Sequence, residues 1–208
     1  MHTNRSDTDL LEMLRVGDES AFVALYRRRQ SGIYRFALRM SGSESIAEDV
    51  TQEVFMHLMR GNGNFDATRG SIQSYLFGIA RNQVLRRIER ERAYFPITQD
   101  DEDTSPAIAN SKCLIATHDP LGDLTRRETI DSVRQAVLAL PAHYREVVVL
   151  CDLHEMSYQE AAEVLGCAIG TVRSRLHRAR AILVERLRAL NADAEVELCS
   201  TETAQCFV

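Results

Sequence analysis

Residues 157–180 read Ser157-Tyr-Gln-Glu-Ala-Ala-Glu-Val-Leu-Gly166-Cys-Ala-Ile-Gly-Thr171-Val-Arg-Ser-Arg-Leu-His-Arg-Ala-Arg180, and few conformations suit that string. Ser157 and Glu160 stand at capping-box spacing, so two orphan amides can be satisfied where a helix begins. Ala161, Ala162 and Leu165 give that helix a small apolar face, and Gly166 sits where a left-handed C-cap residue ends it. Beyond it, Ile169, Val172, Leu176, Ala179 and Leu183 recur at three- and four-residue steps and are expected to point inward. Thr171, Arg173, Ser174, Arg175, His177 and Arg178 are left outside. Two short helices across a tight turn, the second with a basic outer face, form a helix-turn-helix whose second helix suits a DNA groove.

Charge supports that reading. Between Ile169 and Arg188 there are six arginines (173, 175, 178, 180, 186, 188) and one acid, Glu185. A solvated helix face normally interleaves opposite charges at four-residue spacing, whereas this one repels itself until an anionic partner supplies countercharge. The formal net charge of −5 is no contradiction, because it is segregated. From Gln99 to Thr125 six acids (100, 101, 102, 103, 119, 123) stand against Lys112 alone, which accounts for the whole of it. With phosphate attraction partly offset, the chain is expected to bind free DNA weakly and to need a partner.

The apolar pattern elsewhere is helical, so we expect an all-α protein: two small helical domains joined by a flexible acidic linker, the second containing the helix-turn-helix. The first domain is expected over residues 7–94. Leu10, Leu11 and Leu14, then Phe22, Leu25 and Tyr26, then Ile33, Phe36, Ala37 and Met40 make its early stripes, broken at Gly17-Asp18 and Ser41-Gly42-Ser43. A third helix is expected from Ser45, with Glu48 at capping-box distance. Its inward stripe is Ile46, Val50, Val54 and Leu58, which leaves Asp49, Gln52, Glu53 and Met56 toward solvent. That mixture of acids, amide and thioether suits a partner presenting arginines and some apolar surface. After a glycine break at Gly61-Asn-Gly-Asn64, a fourth helix from Ile72 to about Arg92 carries Tyr75, Leu76, Ile79 and Leu85 on one face and Arg81, Arg86, Arg87 and Arg90 on the other. Residues 95–122, with Pro96, Pro106 and the run Asp100 to Asp103, read as the linker, since they cannot bury enough surface to fold. The second domain is expected over 123–190. Its first helix carries Ile130, Val133, Val137 and Leu140, and Pro141 opens the next. Residues 191–208 read as a C-terminal tail.

The five cysteines (113, 151, 167, 199, 206) form no Cys-x-x-Cys pair and read as reduced thiols. Cys199 and Cys206 leave a redox- or metal-responsive tail open, although their spacing matches no standard zinc pattern. No metal or other cofactor is expected. No stretch approaches the roughly 18 apolar residues of a membrane span, and the N-terminus lacks the hydrophobic core of a signal peptide. A cytoplasmic protein without membrane insertion is expected.

Four strings occur in order: Ala47-Glu-Asp-Val-Thr-Gln-Glu-Val-Phe55, Tyr75-Leu-Phe-Gly-Ile-Ala-Arg-Asn82, Leu140-Pro, and Ser157-Tyr-Gln-Glu-Ala-Ala with Gly170-Thr-Val-Arg-Ser-Arg-Leu-His-Arg-Ala179. Together, over about residues 7 to 190, the chain resembles the bacterial RNA polymerase sigma factors of the extracytoplasmic-function (ECF) group. The resemblance implies that the helix bearing Asp49, Gln52 and Glu53 docks on core RNA polymerase. It implies that the Phe65–Ser74 loop and the next helix hold the melted minus-10 strand, with Tyr75, Phe77, Arg81 and Asn82 as candidates. Aromatic faces stack on unpaired bases and arginines hold phosphates. It implies duplex minus-35 contacts for the outer residues of the last helix: Thr171, Arg173, Ser174, Arg175, His177 and Arg178. An anti-sigma partner is implied too, and a linker that threads the polymerase cleft. Tyr75 replaces the family's common tryptophan and Phe77 its tyrosine, so both aromatic faces are kept.

A free-standing helix-turn-helix regulator is the alternative, but it leaves the Asp49–Glu53 string unexplained. An enzyme fits least. The six histidines (2, 57, 118, 143, 154, 177) are dispersed, and no metalloprotease helix, phosphate-binding glycine loop or nucleophile elbow is present.

Overall fold

The computed structural model describes residues 5–60, 65, 70–94 and 120–205, with side chains at 5–60, 65, 70–90 and 129–189. The Asp100–Asp103 run and the rest of the expected linker up to residue 119 lie outside the described residues. All described elements are helical: α1 (Asp7–Arg15), α2 (Glu19–Ser41), α3 (Glu44–Met59), α4 (Ile72–Tyr94), α5 (Pro120–Leu138), α6 (Ala142–Val148), a π-helical turn (Val149–Leu153), α7 (Tyr158–Leu165) and α8 (Ile169–Gln205).

Local chemistry sets the helix ends. Ser6 and Asp9 close a capping box on α1, and Asp18 accepts from the Ser20 and Ala21 amides to start α2. Gly42, at φ 75°, ends α2, and Ser43 immediately caps α3 by accepting from the Ile46 amide. The expected start at Ser45 with Glu48 is therefore two residues late. The left-handed glycine reverses the chain so tightly that the next residue is already the cap.

The α1–α4 core gathers Leu10, Leu25, Ile33, Phe36, Met40, Val50, Val54, Leu76 and Val84, all at most 1% exposed. The predicted α3 stripe is buried throughout, with Thr51 added to it. On α4 the inward face is Ile72, Leu76, Phe77, Ala80 and Val84, while Tyr75, Ile79 and Leu85 are only half-buried. The expected face was thus rotated, because Phe77 is covered from the second domain and a single-helix pattern does not register that cover. Asp7 is nearly buried and pairs with both Arg28 and Arg29, tying α1 to α2.

The second domain is built on Val137, Leu140, Val147, Val148, Val149, Leu150, Ala161, Val172, Leu176 and Ala179. Ile130 and Val133, expected inward, stand 43% and 37% exposed. Val137 and Leu140, expected inward with them, are buried, and Ala136 joins them. Pro141 is the N-cap of α6 and not its first residue, and α5 begins three residues before the expected boundary at Asp123. The helix α8 runs on to Gln205 through most of the expected tail, including Cys199. From Ala181 to Gln205 it holds neither glycine nor proline and many good helix formers, so nothing stops propagation. Cys206 lies outside the described residues.

Candidate nucleic-acid and polymerase interfaces

The helix-turn-helix forms as its residues require. Ser157 and Glu160 make the reciprocal capping box, and Gly166 takes φ 63°. Ala161, Ala162, Val164 and Leu165 of α7 and Val172, Leu176 and Ala179 of α8 are buried. Arg173, Ser174, His177 and Arg178 then share the exposed side of α8, with Thr171 and Arg175 half-buried at its border. Two of these side chains are already oriented. The Arg173 guanidinium lies 5.7 Å from the Tyr158 ring centroid, a cation–π contact that holds it over α7. The Ser174 hydroxyl donates to the Thr171 carbonyl at 3.0 Å. Arg180 is drawn the other way, donating to both Asp152 oxygens at 3.1 and 2.6 Å. That carboxylate neutralises one arginine of the cluster and leaves the outer set basic.

On α3, Asp49 and Gln52 are exposed, Glu53 is half-buried and Met56 is 37% exposed. Asp49 accepts from half-buried Arg87 of α4 at 2.7 Å; the carboxylate itself is exposed, and such a pair contributes little and is readily exchanged for another cation. Beside them α2 and α3 enclose a groove of about 730 Å³ lined by Phe22, Tyr26, Tyr34, Gln52, Phe55 and Met56. Its floor is the edge-on pair Tyr26 and Phe55, with centroids 4.7 Å apart. The acidic face therefore adjoins an apolar one.

The four α4 candidates are split between two faces. Tyr75 and Asn82 are two turns apart on one side; Asn82 is exposed, and half-buried Tyr75 has its ring 5.5 Å from Phe65. Burial raises the Tyr75 phenol pKa, offset in part by Arg15. Phe77 and Arg81 turn to the other side, into the second domain. Phe77 is 4% exposed and lies edge-on to Phe36 at 5.3 Å and to His154 at 5.0 Å. Arg81 grips Glu146 with two hydrogen bonds, 2.9 and 3.2 Å.

One basic array was missed in the sequence. Along α2 run Arg27, Arg28, Arg29, Arg35 and Arg39, against Glu19 as the only acid of that helix. The imbalance that singled out α8 was equally visible here. Arg28, Arg29 and Arg35 border a cleft of about 200 Å³ with Gln73, Phe77 and His154. Its potential is positive enough to act on its neighbours. Burial, then Arg39 and Arg35, push the His154 pKa down to about 4. Burial and then Arg35 and Arg134 lower that of Arg39, which donates to the Leu153 carbonyl at 2.9 Å.

Among the described residues no group of three or more His, Cys, Asp or Glu could hold a metal ion. No described helix is long and apolar enough to cross a membrane. The surfaces described are a basic helix face on α8, an acidic–apolar helix face on α3, and an aromatic–arginine helix, α4.

Comparison with known proteins agrees in both halves. Residues 25–94 match the family described as Sigma-70 region 2, and residues 130–183 that described as Sigma-70, region 4. The chain is 34% identical over 195 residues to the ECF RNA polymerase sigma factor SigM of Mycobacterium tuberculosis, covering 92% of this chain and 90% of that one. It is 29% identical over 180 residues to SigW of Bacillus subtilis, covering 86% and 96%. Among solved structures it resembles CnrH in complex with the cytosolic domain of CnrY, with a TM-score of 0.64, 25% identity, and 88% and 97% of the two chains covered. It also resembles the sigma factor RpoE bound to the anti-sigma factor NepR from Bartonella quintana, with a TM-score of 0.57, 26% identity, and 76% and 91% covered.

Proposed function

Because the chain belongs to the ECF family of RNA polymerase sigma factors, we propose that three of its helices divide the work of promoter-specific initiation. The α3 face of Asp49, Gln52 and Glu53 docks on core RNA polymerase, with the apolar groove beside it receiving the less polar part of the same contact. The α4 side chains Tyr75, Phe77, Arg81 and Asn82 hold the melted minus-10 strand. Thr171, Arg173, Ser174, Arg175, His177 and Arg178 of α8 enter the minus-35 major groove. Arginines there read guanine edges bidentately, and the remaining groups hold phosphates and set register. The observation that carries this reading is the α8 face, where Arg173, His177 and Arg178 stand exposed together while Arg180 is paired with Asp152.

The chain catalyses no bond change and needs no cofactor in this reading. Its contribution is tethering: two weak DNA contacts on one polymerase raise each other's effective concentration, so useful affinity arises in the holoenzyme. It works in the cytoplasm, where promoter DNA and polymerase are. The solved relative RpoE was captured with the anti-sigma factor NepR, which supports a dedicated anti-sigma factor for this chain, clamping the surfaces that polymerase uses.

Core-polymerase binding tests the docking assignment. Asp49→Arg and Glu53→Arg should each weaken affinity for core by tenfold or more, about 1.4 kcal/mol at the least. Unchanged affinity in both variants overturns the α3 assignment.

A further inference from the structure

The two domains do not merely adjoin; each completes the other. Arg145 of α6 donates to the Met40 carbonyl near the end of α2 at 2.6 Å. Leu138 lies so close to Gly42 that a Cβ there would meet its Cδ1 at 3.0 Å, and a Cβ on Gly70 would meet the Glu163 carboxylate of α7 at 2.6 Å. The Arg39 guanidinium reaches the Leu153 carbonyl. His154 enters the aromatic pair Phe36 and Phe77 from the second domain.

At the centre is Glu146. Its side chain is 3% exposed, and its only ion pair among the described residues is with Arg81 across the seam. A carboxylate so buried is costly to leave without its countercharge. With its Nε–H and one Nη2–H given to that carboxylate, and the negative charge held beside it, the Arg81 guanidinium is a poor site for a phosphate. Likewise a Phe77 ring packed between Phe36 and His154 presents no face to a base. The basic face of α8, by contrast, is open to solvent in this arrangement.

We propose that the free chain masks its own minus-10 helix: Glu146 and His154 occupy Arg81 and Phe77, so closure of the domains and capture of a melted strand exclude one another. This rests on the assignment of α4 to the single strand. It imposes an order on promoter engagement. The closed chain offers α8 to duplex DNA, whereas Arg81 exchanges a carboxylate for a phosphate only after the second domain has moved off α4. The energy for that exchange comes from partners that bind the open form better than the closed one.

The test uses the full chain with two independent readouts. Small-angle scattering reports closure. Glu146→Arg and Arg81→Glu should each raise the radius of gyration, and the two together should restore the wild-type value by re-forming the pair in reverse. Fluorescence anisotropy with a labelled mixed-sequence single-stranded oligonucleotide, and with its duplex, reports masking. Glu146→Gln, nearly isosteric, should raise single-strand affinity by about tenfold, equivalent to ~1.4 kcal/mol, and leave duplex affinity within about twofold. His154→Lys, repelled by Arg35 and Arg39, should act the same way and serves if Glu146 variants fold poorly. Variants as compact as the wild type, or expanded variants without gain on single strands, overturn the proposal. Failure of the sigma reading is distinguishable, because the charge-swap scattering result does not depend on what α4 binds.

Discussion

Replacing Arg145 with methionine should cost the chain about 3–5 kcal/mol of stability, because three backbone carbonyls lose one charged donor at once. The guanidinium is 5% exposed and donates to the carbonyls of Met40 at 2.6 Å, of Leu140 at 3.0 Å, and of Leu138. Met40 closes α2, and Leu138 and Leu140 close α5 and its following turn, so one side chain serves carbonyls at two helix ends. A methionine keeps most of the volume but donates nothing. Leaving buried acceptors unsatisfied costs about 1–3 kcal/mol each, less whatever water recovers on relaxation. In a chain of this length that lowers Tm by roughly 8–15 °C. Urea denaturation followed by far-ultraviolet circular dichroism measures the loss directly. Arg145→Lys should fall between the two, since an ammonium keeps the charge but cannot span three carbonyls. A methionine variant within about 1 kcal/mol of wild type would refute the reasoning.

Other perturbations have equally definite outcomes. The His154 pKa of about 4, against an ordinary 6.5, means that the fold holds the ring neutral while the unfolded chain takes up the proton first. Stability is full above about pH 6.5 and is lost as pH falls toward 4. By pH 5 the loss is about 1–2 kcal/mol, after allowance for partial solvent access. His154→Phe, which keeps the ring against Phe77 and cannot protonate, should flatten that part of the pH–stability curve. Gly166→Ala meets no atom within 4 Å but must hold φ 63°, so its cost, measured by denaturation, should be the left-handed backbone penalty alone, about 1 kcal/mol. Arg173→Gln should cost about 1–3 kcal/mol at the promoter, read as a roughly 5- to 150-fold loss in holoenzyme binding with relaxed preference at one minus-35 base pair. A uniform loss across all sequences would make Arg173 a phosphate contact instead.

Local signals in the sequence were reliable at the ends of α7 and along the α3 stripe, and less so at the starts of α3 and α6. Ser157, Glu160 and Gly166 fix the ends of α7 by chemistry within a few residues, and the Ile46–Val50–Val54–Leu58 stripe needs only helical spacing to find its core. What was hidden depends on a second body. Phe77 and Tyr75 look alike as aromatic residues on one helix, yet one is enclosed by Phe36 and His154 and the other leans on Phe65. Arg81 and Asn82 are neighbours in the chain, yet only Arg81 meets Glu146, 65 residues away. Ile130 and Val133 are apolar at helical spacing and remain exposed, because nothing described covers that side of α5. The arginine row on α2 was legible by counting charges, but part of it serves the fold: Arg28 and Arg29 neutralise buried Asp7.

Run-off transcription with purified core polymerase, on a pool of promoter fragments and with or without the protein, tests the central claim most directly. The account predicts specific transcripts that appear only with the protein, disappear on charge reversal of Asp49 and Glu53, and weaken with Arg173→Gln. Absence of any such transcript, together with tight sequence-specific duplex binding by the protein alone, would contradict it.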